Sequence, residues 1–326
     1  MRKLLLGTAA IALGFVAAVS IAASAFAQSY PTKAVRVIIP FTAGSAIDIV
    51  GRSVSQKLSE IWGQPVVAEN RTGAGGTVGA GVVAKSQADG YTLLVNGSNH
   101  VANPALYSVL PYDTLKDFVE IAPLANTGQV LVVAPSAGVK SVSELIAAAK
   151  ATPGQLTFAS PGTGSGVHFT GEKFRLAAGI DVLHVPYKGG PEAMTDVMMG
   201  RVTYWIPPIG IALPLIQERK LLALGVSTRQ RSALLPDVPP IAEAGVPGFE
   251  DSIWFGMFAR IGTPSDIVNK LATDISRTLA APDLRDQFRK FAAEPMNMTP
   301  TEFARFVRSE IEAAARIAKA AGIKPQ

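Results

Sequence analysis

The chain has no cysteine among its 326 residues. That excludes a disulfide framework, a thiolate nucleophile, a thiolate metal site and a lipid-anchored N-terminal cysteine. Histidine is nearly as scarce: His100, His168 and His184 are the only three, far apart and without metal-ligand spacing. There is no Gly-x-Ser-x-Gly elbow, no Walker-type Gly-Lys-Ser/Thr and no His-Glu-x-x-His. Charged residues make up 17% of the chain, with no Lys/Arg run and no basic helix interleaved with aromatics, so a formal charge of +5 is no nucleic-acid footprint. An exported hydrolase acting through Ser165 and His168 is disfavoured. The two are three apart at a helix start, with no acid nearby in sequence to orient the histidine. No catalytic residue, metal or cofactor is expected.

What is present begins with a targeting segment. Met1-Arg2-Lys3 is basic, residues 4–21 are apolar, and Ala25-Phe26-Ala27 is a small-x-small site ahead of Gln28. The apolar run is long enough to anchor in a bilayer, but the cleavage site and the polar Gln28-Ser29 favour removal. A signal peptide over 1–27, cleaved after Ala27, is predicted. Export without disulfides fits a bacterial periplasm better than a eukaryotic secretory protein of this size. The mature remainder is near the size at which single cores stop growing, so two lobes are expected.

Short β-branched runs alternate with helical patterns. Strands are predicted at 35–39, 66–69, 92–96, 130–133, 156–159, 182–185, 202–206, 222–226 and 254–259. Helices are predicted at 46–58, 77–85, 142–151, 167–178, 191–199, 265–280, 282–290 and 301–321. Such alternation argues for an α/β fold with parallel or mixed sheets. The strands at 130–133 and 254–259 read as two crossings between lobes. They give a discontinuous first lobe, 28–128 plus 254–326, and a second lobe, 129–253.

Three strand-to-helix turns are built alike. Phe41-Thr42-Ala43-Gly44-Ser45 leads into a helix near Ala46, Ser160-Pro161-Gly162-Thr163-Gly164-Ser165 into one near Val167, and Tyr187-Lys188-Gly189-Gly190 into one near Pro191. A helix N-terminus presents unpaired N–H groups and the positive end of its dipole, and small residues let an anion approach them. Two such cradles facing each other across a cleft would clamp a ligand. The plainer alternative is that every such turn needs glycine and a capping hydroxyl. His168 either orients a carboxylate or packs, and Asp48 either meets ligand or favours its helix N-terminus. Tyr204 and Trp205 read as core or cleft wall, although a tryptophan beside a cleft can stack a flat ligand. The run from Gly73 to Gly81 does not fit Gly-x-Gly-x-x-Gly, because Val78 or Ala84 stands where glycine is needed. Close helix-to-strand packing explains it better.

Short motifs in order along the mature chain carry a resemblance. They include Tyr30-Pro31, Pro40-Phe41, Glu69-Asn70-Arg71, Gly73-Ala74-Gly75-Gly76 and Asp89-Gly90-Tyr91-Thr92-Leu93-Leu94. Leu110-Pro111-Tyr112-Asp113, Ser160-Pro161-Gly162-Thr163-Gly164-Ser165, Val185-Pro186-Tyr187-Lys188-Gly189, Leu235-Pro236-Asp237-Val238-Pro239, Glu243-Ala244-Gly245 and Gly262-Thr263-Pro264 follow. Together they resemble the Bug-type periplasmic receptors of tripartite tricarboxylate transporters. The resemblance implies a two-lobed type II periplasmic-binding-protein fold that closes on a small organic acid and delivers it to a pair of membrane permease subunits. It also implies carboxylate contacts on Phe41, Thr42, Gly44 and Ser45, and on Gly162, Thr163, Gly164, Ser165 and His168. Asp48, Ser160, Tyr187, Lys188 and Trp205 complete the candidate set.

Three positions depart from the family pattern. Ala43-Gly44-Ser45 stands where Pro-Gly-Gly is usual, Val202-Thr203 before Tyr204-Trp205 where Val-Asp is frequent, and Arg260 where proline is common. The lost acid and the two aromatics suggest an aromatic or otherwise flat carboxylate, and disfavour an amino acid, whose ammonium would want a counter-charge. A monomer is expected. An alternative role, signalling to a membrane sensor kinase without transport, would use the same clamp.

Overall fold

Two β-sheets with helices packed on them organise the chain. The computed structural model describes residues 30–325, so the predicted signal peptide lies outside the described residues. The first sheet has strand order β11-β4-β10-β3-β1-β2. Its members are β1 (Val35–Ile39), β2 (Val66–Asn70), β3 (Thr92–Gly97), β4 (Phe118–Thr127), β10 (Ile253–Arg260) and β11 (Ala293–Pro295). β1 pairs in parallel with β2 and β3, while β10 runs antiparallel between β3 and β4. The second sheet, β7-β6-β8-β5-β9, contains β5 (Val130–Val133), β6 (Thr157–Ser160), β7 (Leu183–Pro186), β8 (Tyr204–Trp205) and β9 (Leu222–Val226).

Among the described residues there are eleven α-helices. Those that matter for the site are α1 (Ala46–Trp62), α3 (Ser98–Leu106), α5 (Gly166–Ala178), α6 (Gly190–Met198), α7 (Ile209–Gln217) and the C-terminal α11 (Pro300–Ala320), with α2 (Thr77–Ala84) following the glycine run. Sequence signals fix their ends. Gly63 closes α1 in the left-handed region at φ 61°, and Thr299 with Glu302 forms a full capping box ahead of α11.

Buried β-branched runs make the strands. Val35, Val37, Ile38 and Ile39 are fully buried, as a strand covered on both faces requires. The chain passes from the first sheet to the second through Gly128 and returns ahead of β10. The two passages are tied by buried polar groups. Gln129 N–H donates to Ser227 Oγ at 2.9 Å, and Ser227 Oγ donates to the Asp251 carbonyl at 2.8 Å. Thr170 Oγ1 bonds both Gln129 Oε1 and the Asp251 carboxylate. These buried polar groups satisfy one another, so the crossing leaves none of them orphaned.

Five elements lie outside the sequence expectations, and proline hides three of them. β4 contains Pro123, which pairs with Gly256 beside a register shift, a place where a missing N–H is tolerated. α3 and α7 contain Pro104 and Pro214 within the helix. The four-residue α8 (Ile241–Ala244) and the three-residue β11 are too short to show a period.

Candidate functional site

A cavity of about 270 Å³ lies between the two sheets. Loop and helix starts from both sides form it: Phe41 to Ile47 and Ser98-Asn99 on one, Ser165-Gly166-Val167 and Gly190-Pro191 on the other, with Ile253-Trp254-Phe255 of the return strand. Met194, Trp205, Pro208, Ile211 and Leu215 complete the wall. Not one of the lining residues is ionisable. An anion here therefore depends on backbone and hydroxyl donors in a low-dielectric space, where each bond is stronger than in water.

The first cradle belongs to α1. Ser45 precedes the helix with extended backbone, yet its hydroxyl donates to the Thr42 carbonyl at 2.7 Å, and no side chain caps the helix. The N–H groups of Ala46 and Ile47 therefore stay uncapped beside the cavity. Asp48 does not line the cavity. It is 3% exposed, accepts from Gly44 N–H at 3.0 Å, and binds Arg52 Nε at 2.9 Å and Asn70 Nδ2 at 2.7 Å. Asn70 Nδ2 also donates to the Phe41 carbonyl at 2.8 Å, so this network ties down both ends of the loop.

The second cradle belongs to α5. Here the serine does cap: Ser165 Oγ accepts from His168 N–H at 3.1 Å. The His168 ring is buried away from the cavity, and its Nδ1 accepts from Gly164 N–H at 3.3 Å. Its Nε2 then carries the proton, 3.8 Å from Glu172 Oε1. His184 stacks on His168 with ring centroids 4.0 Å apart and holds Ser160 Oγ at 2.7 Å, which in turn accepts from Gly162 N–H at 3.2 Å. Burial pushes His168 down to about 4, helped by the Arg175 charge, and pushes His184 down to about 3. Both rings are neutral packing groups. The His168 ring packs against His184 and is not among the residues that line the cavity.

The remaining candidates divide. Phe41, Thr42, Gly44, Ser45, Ser165 and Trp205 line the cavity. Gly162, Thr163, Tyr187 and Lys188 line an outer groove that shares Phe41 and Pro161 with it. Tyr187 points its hydroxyl to Asp196 Oδ2 at 2.7 Å. Gly164 lies against Leu106, Asn103 and Tyr107 of the opposite side. Tyr204, the neighbour of Trp205, faces the other way into a core with Phe158 and Phe174, as alternation along a strand demands. The flat-ligand argument therefore rests on Trp205 alone. Trp205 Nε1 and Thr42 Oγ1 are buried without a partner inside the protein.

The glycine run packs twice over. A Cβ on Gly79 would meet the Arg71 carbonyl at 2.8 Å, which is the expected helix-to-strand contact. A Cβ on Gly75, at φ +60°, would meet the Thr163 carbonyl at 2.7 Å, so the run also lets the two sides of the cleft close together.

Sequence reasoning missed Ser98, Asn99, Met194, Ile211, Leu215 and Trp254. For Ser98 and Asn99 the signal exists: Gly97-Ser98-Asn99 is another small-residue turn between a strand and a helix, hidden by Pro104. The aliphatic positions carry no such mark.

Among the described residues no helix is long and apolar enough to cross a membrane. Residues 50–323 match the model of the tripartite tricarboxylate transporter family receptor. Protein BugT of Bordetella pertussis is 35% identical over 312 residues, covering 95% of this chain and 96% of that one. A solved structure of Rhodopseudomonas palustris Rpa4515 with adipate has 35% identity and a TM-score of 0.87, covering 91% of this chain and 100% of the other. MatC from the same species with bound malate has 32% identity and a TM-score of 0.83, covering 88% and 99%. Fold, cleft and sequence agree: the chain belongs to the Bug-type receptors of tripartite tricarboxylate transporters, a family of solute-binding receptors for carboxylates.

Proposed function

We propose that this receptor is exported on the leader 1–27, cleaved after Ala27, and closes as a monomer around one flat or aromatic carboxylate for delivery to its membrane permease subunits. The lobes are 28–128 plus 254–326 and 129–253. One observation carries the reading. Helix starts from both sides of the cleft meet in a cavity with no ionisable lining, where a carboxylate is the group that uncapped N–H donors suit. The adipate and malate in the neighbouring structures support the ligand class.

Roles follow from position. Thr42 and Ser165 supply hydroxyls, Ser45 folds its own back to shape the first loop, Phe41 and Trp205 supply flat walls, and Gly44 keeps that loop open to the ligand. Asp48, Ser160, Gly162, Gly164 and His168 set the shape of the two loops rather than touch the ligand. Thr163, Tyr187 and Lys188 stand at the outer groove, where exposed Lys188 attracts an incoming anion.

A thermal-shift screen of residues 28–326, refolded from denaturant to remove carried-over ligand, tests the reading. The panel spans citrate, C4-dicarboxylates, acidic amino acids, nicotinate, benzoate and terephthalate. A ligand at a hundred times its Kd stabilises the native state by about 2.7 kcal/mol. Stabilisation by nicotinate, benzoate or terephthalate is expected. Stabilisation by citrate or amino acids only would overturn the flat-ligand part of the reading.

A further inference from the structure

The donors of the cavity are gathered on one side of it. On that side stand the uncapped start of α1 at Ala46 and Ile47, the start of α5 at Gly166 and Val167, and the hydroxyls of Ser98 and Ser165. The opposite wall comes from α6, β8 and α7 and is built of Gly190, Pro191, Met194, Trp205, Pro208, Ile211 and Leu215. Two further helices begin here, yet prolines blunt both starts. Pro191 in the first turn of α6 has no N–H to give, which leaves Gly190 N–H as the donor of that start at the cavity. α7 is entered through Pro208, and the N–H of Ile209 is already taken by the Gly128 carbonyl at 3.0 Å. The only side-chain polar group on this wall is the Trp205 indole, 1% exposed and without a partner. One neutral N–H of that kind satisfies a single hydroxyl, carbonyl or carboxylate oxygen, far fewer bonds than the gathered donors of the α1 and α5 side offer.

We infer that the ligand is a monocarboxylate: one carboxylate sits on the α1 and α5 side, and an uncharged apolar body lies against Met194, Ile211 and Leu215. This deepens the carboxylate reading and rests on it. A second carboxylate directed at the α6 and α7 wall would lose its water and meet mostly carbon, with only the Trp205 indole and the Gly190 N–H to repay it. The same wall repels an amino acid's ammonium, for which no acidic side chain is within the lining. Met194, Ile211 and Leu215 are thus specificity-determining positions, acting by what they fail to offer.

Matched pairs isolate the charge from the shape. Calorimetric titration of refolded residues 28–326 compares benzoate with terephthalate and hexanoate with adipate. In each pair the monocarboxylate is expected to bind about 10- to 100-fold tighter, the range an unpaired buried polar group produces. A dicarboxylate binding as tightly as its partner would overturn the inference while leaving the receptor a carboxylate binder. Binding of citrate or glutamate alone would do the same. Silence from every carboxylate would remove the underlying reading and this inference together. Leu215→Arg, on a half-buried face of α7, supplies the missing cation. It is expected to shift the adipate-to-hexanoate ratio at least about tenfold toward adipate. An unchanged ratio in a variant that melts like the parent would overturn the placement of the ligand's apolar end.

Discussion

The two cradles look alike as sequence and are supported in opposite ways. In the first, Ser45 turns its hydroxyl back onto Thr42, the helix start stays uncapped, and a charged network of Asp48, Arg52 and Asn70 holds the loop from behind. In the second, Ser165 caps its helix and the loop hangs from two stacked, neutral histidines through Gly164 and Ser160. A carboxylate network suits a loop at a half-exposed edge, where Arg52 remains solvated. Beneath the second loop lies the aromatic core of Phe158 and Tyr204, where neutral rings pack without the desolvation cost of a charge, and the nearby Glu172 carboxylate is buried only in an ion pair with Arg175. Equivalent backbone presentation is thus reached by whatever chemistry the local burial permits.

The sharpest way to separate the cradles is pH. His168 is held down to about 4 and His184 to about 3, against an ordinary 6.5, so the unfolded chain binds protons first as pH falls. The stability these rings contribute is complete above about 6.5 and is lost progressively toward pH 4, at about 1.4 kcal/mol per pH unit for each ring. Melting temperatures from pH 7.5 to 4.5 should fall accordingly, and less steeply in His184→Gln. A parallel slope in that variant would detach the second cradle from its histidines.

Asp48→Ala comes next in size. It orphans Gly44 N–H and takes one partner each from Arg52 and Asn70, which keep their bonds to each other and to the Phe41 carbonyl, and should cost about 1–3 kcal/mol in urea unfolding. Arg52 is half-exposed, which keeps the loss below that of a fully buried pair. Ser165→Ala removes a real cap and should cost about 1 kcal/mol. Ser45→Gly removes a hydroxyl that caps nothing and should change stability by only a few tenths of a kcal/mol. Equal losses at the two serines would erase the contrast between the cradles.

Much of this was legible in the chain. Strands such as β1, β5 and β9 stand at the expected residues because continuous β-branched runs in a sheet covered on both faces leave few alternatives. Helix starts set by Ser141 and Thr299 follow from capping chemistry that acts within a few residues, whereas α1 runs to Trp62, four residues past the expected end, before Gly63 closes it. Both cradle loops could be named because a small-residue turn between strand and helix is likewise local. Among the described residues, three of the missed elements have a local signal that points the wrong way, with Pro104, Pro123 and Pro214 inside helices and a strand that tertiary packing nevertheless imposes, and α8 and β11 are too short to carry one.

The order of residues by itself determined the alternation of strands and helices, the small-residue loops and the family, since each rests on neighbours along the chain. Only the tertiary structure decided which of these residues line the cavity. It turned His168 and Asp48 behind the loops, sent Tyr204 to the core and Trp205 to the cleft, and brought Met194, Ile211 and Leu215 to the far wall. The reason is that a cavity between two sheets is lined by residues distant in sequence, and which face of an element meets it depends on how the two sheets pack rather than on any local preference.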